Sequence, residues 1–372
     1  MAYNSLRDFI QHLEEKNSLI RVNTKVSPEL EITEIQTRLL AENGPAVLFE
    51  NVVKPNNELY KMPVLANLFG TIDRVQMGLG DDANTLTQLG KTLAFLRQPE
   101  PPGGWREAFE MLPLLRKIMS MKPKSVSDAP CHDIILIGDD IDLNELPIQT
   151  CWPGEPAPLI TWPIVVTKGP SSERQDDYNL GIYRMQVTGK NTTLMRWLKH
   201  RGGAAQHRRW AAKRREPLPA AIVIGADPGT IISAVTPLPD TLSEYQFAGL
   251  LRSRKIDLVD CKTIPLAVPA QAEIIIEGHV SLDDYASEGP YGDHTGYYNS
   301  VEEFPRFTAT AITMRRDPIY LTTFTGRPPD EPSILGQALN EVFVPILIQQ
   351  FPEIVDFWLP PEACSYRMAV IS

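Results

Sequence analysis

The amino-acid sequence predicts a mixed α/β (α+β) multidomain protein, and three observations carry that reading. A chain of 372 residues can bury two or three substantial cores. Its texture changes from alternating helix and strand periodicity over residues 1–125 to strand-like runs separated by Gly, Pro and Asp turns over residues 126–318. Helical spacing then returns in residues 319–372. These three ranges are read as an N-terminal α/β domain, a β-barrel or sandwich core with inserted helices, and the beginning of a C-terminal α/β domain.

In order along the chain, Leu6, Phe9, Ile10 and Leu13 follow helical spacing behind Asn4 or Ser5 as cap. A second helix is expected from Ser27-Pro28, carrying Leu30, Ile32, Ile35, Leu39 and Leu40 and stopped by Gly44. Val47–Phe49 and Val64–Leu68 read as short buried strands, Leu86–Leu96 as helix and Pro99–Gly104 as loop. The central strands are expected at Ile134–Ile137, Ile160–Thr167, Gly181–Val187, Ala221–Ile224, Glu273–Val280 and Phe307–Met314. A helix starts near Thr241–Glu244, with Thr241 or Ser243 able to cap it. A hairpin turn at Arg316-Asp317-Pro318 leads to a helix near Ser333–Gln350 and a strand at Tyr366–Ile371. Because that apolar strand pattern runs to Ser372, a C-terminally truncated chain is expected.

Composition narrows the function classes. The net charge of −10 argues against a surface that coats nucleic acid, although a local basic site is compatible with it. The four cysteines (Cys131, Cys151, Cys261 and Cys364) are far apart with no C-x-x-C pair, which fits a reducing, cytoplasmic compartment. No run of 18 apolar residues is long enough to span a bilayer.

Two segments could carry chemistry. Between Met185 and Arg215 lie nine basic residues and no acidic one. Inside this stretch, Arg196-Trp197-Leu198-Lys199-His200-Arg201-Gly202-Gly203 sets paired glycines beside two arginines. Backbone N–H groups and guanidinium forks there could cradle a phosphate, and Trp197 could stack on a planar ring. The alternative is a solvated helix face over Arg208–Arg215 and a plain turn at Gly202-Gly203. The second segment, Glu288-Gly-Pro-Tyr-Gly-Asp293-His294-Thr-Gly, holds two carboxylates and an imidazole on a loop stiffened by Gly and Pro. It reads equally as a catalytic loop or as an acidic or cation-binding turn. Asn179, Glu244 and His200 form a weaker set for a divalent ion bridging a phosphate. Gly78-Leu-Gly80-Asp-Asp-Ala83 imitates a dinucleotide fingerprint without the surrounding strand–turn–helix unit.

Several motifs together resemble the UbiD decarboxylases: Asn179-Leu-Gly-Ile-Tyr-Arg184, Met195-Arg-Trp-Leu-Lys-His-Arg-Gly-Gly203, Thr236–Tyr245, Glu288–Tyr298 and Thr325–Pro332. The likeness runs the length of the chain and is closest to the branch acting on 3-polyprenyl-4-hydroxybenzoate in ubiquinone biosynthesis. It implies a split β-barrel flavin-binding domain as the central unit, between the two α/β domains. It implies prenylated FMN as cofactor, with contacts at Ile182, Tyr183, Arg184, Arg196, Trp197, Leu198, Arg201 and Gly202. It further implies a divalent metal, usually Mn2+, on Asn179, Glu244 and His200, often with K+, and a catalytic trio of Arg184, Glu288 and Asp293. Relatives acting on cinnamic-type acids have glutamate at the position of Asp293, which implies a different substrate class here. The other implied partners are a small aromatic acid, a flavin prenyltransferase supplying the cofactor, and further copies of the chain in a homo-oligomer, a hexamer by resemblance. A prenylated substrate would also bring loose peripheral contact with the inner membrane face. The rival readings are a UbiD-type decarboxylase of another aromatic or unsaturated acid, and a flavin-binding oxidoreductase.

The chemistry fits such an enzyme. Decarboxylation leaves a carbanion that needs an electron sink no side chain provides, so a cofactor must supply it. The protein adds a phosphate anchor, a cation and an acid. Arg184 is expected to pair with Glu288. Burial and the nearby Glu288 charge are expected to keep Asp293 protonated as the donor.

Overall fold

The computed structural model describes residues 3–80, 85–97, 118–170, 177–236, 238, 242–363 and 368–372. The expected Pro99–Gly104 loop, Thr241 as a cap and the first half of the Tyr366–Ile371 strand lie outside them. Among the described residues no helix is long and apolar enough to cross a membrane.

The first helix, Leu6–Glu15, is capped by Ser5, whose side chain accepts the Asp8 amide, and it buries Leu6, Phe9, Ile10 and Leu13. The second begins at Glu31 and ends at Ala41, later than the Ser27-Pro28 start read from sequence. The intervening residues are held elsewhere. The Leu30 amide donates to the Thr150 carbonyl, Glu29 bridges Thr150, and Leu30 has φ 65°, outside helical space. Strands Leu19–Val22, Ala46–Phe49 and Val64–Ala66 form a sheet that Tyr320–Leu321 completes as its fourth member, parallel to Val64–Ala66. The segment at Arg316–Pro318 is therefore not a hairpin. It carries the chain out of the barrel and back to the N-terminal sheet. Helix Glu331–Gln350, capped by Asp330, packs on helices Ile72–Leu79 and Thr85–Arg97.

The central unit is one antiparallel sheet. Its order runs Leu159–Ile160, Met185–Val187, Thr192–Met195, Glu302–Met314, Ile274–Glu288, Leu218–Ile224, Ile164–Lys168, Tyr178–Ile182, with Ile134–Ile137 added beside Glu302–Met314. Two of the runs read as single strands are broken, Ile160–Thr167 at Thr161–Pro163 and Gly181–Val187 at Tyr183–Arg184. Both breaks join opposite ends of the sheet order. In a flat sheet with strands about 4.8 Å apart, Tyr178–Ile182 and Met185–Val187 would lie about 29 Å from each other. Two linking residues reach only about 11 Å at about 3.8 Å per Cα step. The sheet must therefore curl into a nearly closed barrel, with Tyr183 and Arg184 placed in the seam.

The sequence reading missed helix Pro228–Val235. Every residue from Pro228 to Ala234 is buried, and a helix apolar on all sides carries no amphipathic period. The N-terminal sheet and the barrel share one hydrophobic core. Arg7 clasps the buried Glu273 at the barrel end with two bonds of 2.9 Å, and Glu273 also accepts the Ile319 amide at 3.1 Å.

Candidate active site

The barrel seam delivers the side chains singled out in sequence to one region. Arg184, the second seam residue, donates Nε to Glu288 Oε1 at 2.7 Å and Nη2 to Glu288 Oε2 at 3.0 Å. The same Nη2 reaches Asn299 Oδ1 at 2.9 Å. Glu288 is the last residue of the long strand Ile274–Glu288 and has no solvent-exposed side-chain surface. A buried carboxylate is tolerable when paired and hydrogen-bonded, and this bidentate fork provides both. Arg196, just past the Thr192–Met195 strand, brings a second guanidinium to 3.7 Å from Glu288. Burial, followed by repulsion from Arg184, lowers the Arg196 pKa, with Glu288 opposing them. Its Nε is buried without a hydrogen-bond acceptor. The expected pairing of Arg184 with Glu288 is therefore present, and Arg196 joins it.

After Glu288 the chain turns through Gly289, at φ 89°, where a side chain would be strained. It then forms a small hairpin: Gly292 bridges Tyr298, the Asp293 amide donates to the Tyr297 carbonyl, and the Gly296 amide returns to the Asp293 carbonyl. Asp293 and His294 sit at its tip. Asp293 Oδ1 accepts the His294 amide at 2.7 Å and lies 2.5 Å from His294 Nδ1. Burial pushes the Asp293 carboxyl up, but the amide, charge and ring N–H of His294, and Arg184 beyond them, outweigh it and hold the carboxyl below its ordinary range. The expectation that burial and Glu288 keep Asp293 protonated is thus overturned: its nearest partner is a donor on the next residue.

Glu155 is a member of the site that sequence reading missed. Its carboxylate accepts the amides of Cys151 at 2.8 Å and Gly292 at 3.3 Å, tying the acid-bearing hairpin to the loop around Trp152. It stands alone in sequence among glycines and prolines, so no motif marked it.

On the other side of the seam, Gly202 and Gly203 are the first residues of helix Gly202–Ala211, and the side chain of its N-cap residue, Arg201, does not cap it. The plain-turn reading is corrected, whereas Arg208–Arg215 does form a largely exposed face, with Arg209 paired to Asp177 at 2.8 Å. The Gly203 amide donates to the Tyr183 hydroxyl at 2.9 Å. A Cβ on Gly202 would stand 2.2 Å from Asn179 Oδ1, so a side chain there would push the Asn179 amide aside. Tyr183 meets Trp197 edge-to-face at 6.3 Å. Ile182 and Leu198 are half-buried beside them, and Arg201, at the helix cap, is exposed. Asn179 Nδ2 and Trp197 Nε1 are buried without acceptors, as is Arg196 Nε.

Of the expected metal set, two members come together. Glu244 opens helix Glu244–Arg252 behind a Ser243/Gln246 capping box, and its Oε2 accepts the Leu180 amide at 3.1 Å, one residue from Asn179. His200 lies in an exposed turn with no hydrogen bond or ion pair to either. Among the described residues no group of three His, Cys, Asp or Glu side chains could hold a metal.

Three family models cover most of the chain. The 3-octaprenyl-4-hydroxybenzoate carboxy-lyase Rift-related domain matches residues 123–328, its N-terminal domain 10–93 and its C-terminal domain 333–372. The chain belongs to the UbiD carboxy-lyase family. Among solved structures it is similar to the closed form of vanillic acid decarboxylase from Sedimentibacter hydroxybenzoicus, with 28% identity and TM-score 0.83, covering 100% of this chain and 74% of that one. It is similar also to an evolved dimeric form of the UbiD-class enzyme HmfF from Pelotomaculum thermopropionicum in complex with prFMN, with 27% identity and TM-score 0.82, covering 99% and 78%. The apo 3,4-dihydroxybenzoic acid decarboxylase of Klebsiella pneumoniae, at 22% identity and TM-score 0.79 over 99% of this chain and 74% of that one, shares the fold.

Proposed function

We propose that this chain decarboxylates an aromatic acid with prenylated FMN, and that the acid is 3-polyprenyl-4-hydroxybenzoate, converted to 2-polyprenylphenol in ubiquinone biosynthesis. The observation that carries the flavin reading is the pair of buried donors without acceptors, Asn179 Nδ2 and Trp197 Nε1, that lie against Gly202 and Gly203 at the N-terminus of helix Gly202–Ala211. Buried donors are rarely left unsatisfied, and a helix N-terminus favours phosphate. An acceptor-rich, anionic ligand would satisfy both. The prFMN-bound relative supports the same cofactor, and the substrate rests on the family description together with the motif resemblance.

In this reading Ile182, Tyr183, Trp197 and Leu198 line the ring end, while Arg201, Gly202 and the helix amides hold the phosphate. The bound flavin supplies the electron sink for the carbanion. Arg184 and Arg196 attract and orient the substrate carboxylate, Glu288 fixes both guanidinium groups, and Asp293 delivers a proton to the carbon that loses CO2. Asn179 and Glu244 would hold a divalent cation, Mn2+ in the family, which would supply positive charge for the cofactor phosphate. His200 is the third ligand that the family resemblance implies, and K+ remains part of the proposed cofactor set. The partners follow the same reading: a flavin prenyltransferase, further copies of the chain, and a membrane surface holding the prenylated acid.

Protein co-expressed with a flavin prenyltransferase should carry prenylated FMN by mass spectrometry and absorbance, and should release CO2 from prenylated 4-hydroxybenzoate. A protein that binds only unmodified flavin and reduces it with a nicotinamide would instead support the oxidoreductase reading. Glu244→Gln tests the cation separately. It should keep the fold, since the capping box is untouched, yet lower Mn2+ content in the purified protein along with flavin retention. Equal metal content in variant and parent would leave Glu244 as a helix-start carboxylate stabilised by the dipole.

A further inference from the structure

The loop that carries Asp293 places a second titratable group against it, and the mechanism above gives that group no work. His294 Nδ1 lies 2.5 Å from Asp293 Oδ1. The same oxygen takes the His294 backbone amide at 2.7 Å. An ionised carboxylate has no hydrogen to give, so the hydrogen between them sits on the imidazole. Both side chains keep about a quarter of their surface in solvent, 23% for Asp293 and 24% for His294, which leaves an open route for protons from water. The lowered Asp293 carboxyl agrees with the geometry: alone, it would be a poor store of a proton at neutral pH.

We infer that His294 is the positioning residue that loads Asp293 with its proton, so that the two act as one donor. This rests on Asp293 being the group that protonates the product carbon. When the carbon–carboxyl bond breaks, CO2 leaves and its electron pair stays with the substrate carbon. That pair ends in a new C–H bond to the proton given by Asp293. Asp293 takes the Nδ1 proton of the imidazolium, and water returns a proton to the ring, so the cycle consumes one proton per CO2 released. Charges from each neighbouring element bias the pair. Arg184 and Arg196 face Asp293 from the barrel seam. Glu155 holds the Gly292 amide from the Trp152 loop. Asp330, the buried cap of helix Glu331–Gln350, is felt by His294, and Arg327 packs beside Gly296. The two arginines thus favour the ionised carboxylate.

Two measurements test the pair. In the purified protein, the short Nδ1–H···O bond should give a far-downfield proton resonance that disappears in both His294→Gln and Asp293→Asn. In the flavin-loaded enzyme, His294→Gln should shift the alkaline limb of the pH–rate profile to lower pH. Its optimum should move to lower pH, and the rate at neutral pH should fall on the order of 10- to 100-fold, because the carboxyl must then take its proton directly from solvent. A downfield resonance that persists in Asp293→Asn overturns the pair. So does a His294→Gln profile of parental shape lowered uniformly at every pH, while Asp293→Asn is inactive. If instead Asp293→Asn turns over at the parent rate, the assignment of Asp293 as donor fails and the inference fails with it.

Discussion

Replacing Asp293 by asparagine is expected to leave flavin retention at the parent level and to slow decarboxylation by about 10²-fold or more, the usual contribution of a positioned acid. The substitution preserves size, and its amide oxygen can still accept the His294 backbone N–H that now binds Oδ1. The hairpin tip should therefore keep its shape. The proposed cofactor contacts lie on other elements, the barrel seam and the Gly202–Ala211 helix. What is lost is a group that can carry a proton to carbon. Incorporation of deuterium from solvent into the product should fall in parallel with the rate. If Asp293→Asn works at the parent rate while Glu288→Gln is inactive, the donor is Glu288, and the order of the two carboxylates must be reversed.

The motifs were legible because each packs its chemistry into a few consecutive residues. Glu288 and Asp293 are five positions apart, and their loop folds as a local hairpin, so reading the string already placed them together. The partnership of Arg184 with Glu288 spans 104 residues; no local pattern marks it, and the family resemblance is what brings the two together. The barrel was legible as a collection of strands but not as a closed object. Nothing in the periodicity of Gly181–Val187 signals that the chain leaves one edge of the sheet at Ile182 and joins the other at Met185. Only the pairing order forces the curl that puts Arg184 in the seam. Glu155 escaped because its function is to hold two backbone amides, a task with no sequence pattern. The protonation of Asp293 was misread for a related reason. Burial and like charge favour a protonated carboxyl, but the sequence does not show that the imidazole next door is its hydrogen-bond partner.

Glu288→Gln should be the most damaging single change in the site for stability as well as for activity. The carboxylate is fully buried and answers two arginines, Arg184 at 2.7 Å and Arg196 at 3.7 Å, whose side chains are 14% and 15% exposed. Removing its charge leaves both cations in a poorly solvated place with only the neutral Asn299 oxygen beside Arg184. Breaking one partner out of a buried pair typically costs roughly 3–5 kcal/mol, and the residual exposure of the arginines favours the lower end. The double variant Arg184→Met/Glu288→Leu removes the carboxylate together with its closest cation and leaves Arg196 as the one buried guanidinium without Glu288. Asn299 Oδ1 still accepts the Tyr291 amide at 3.0 Å, and Arg196 is relieved of the repulsion that now lowers its pKa. Denaturant unfolding of Arg184→Met, Glu288→Leu and the double should therefore show strong non-additivity, with the double variant more stable than Glu288→Leu alone. Its activity should nevertheless be absent, because the guanidinium that orients the carboxylate is gone. Costs that simply add across the cycle would mean that the Arg184–Glu288 fork contributes nothing as a pair, and Glu288 would then have to be explained by catalysis alone.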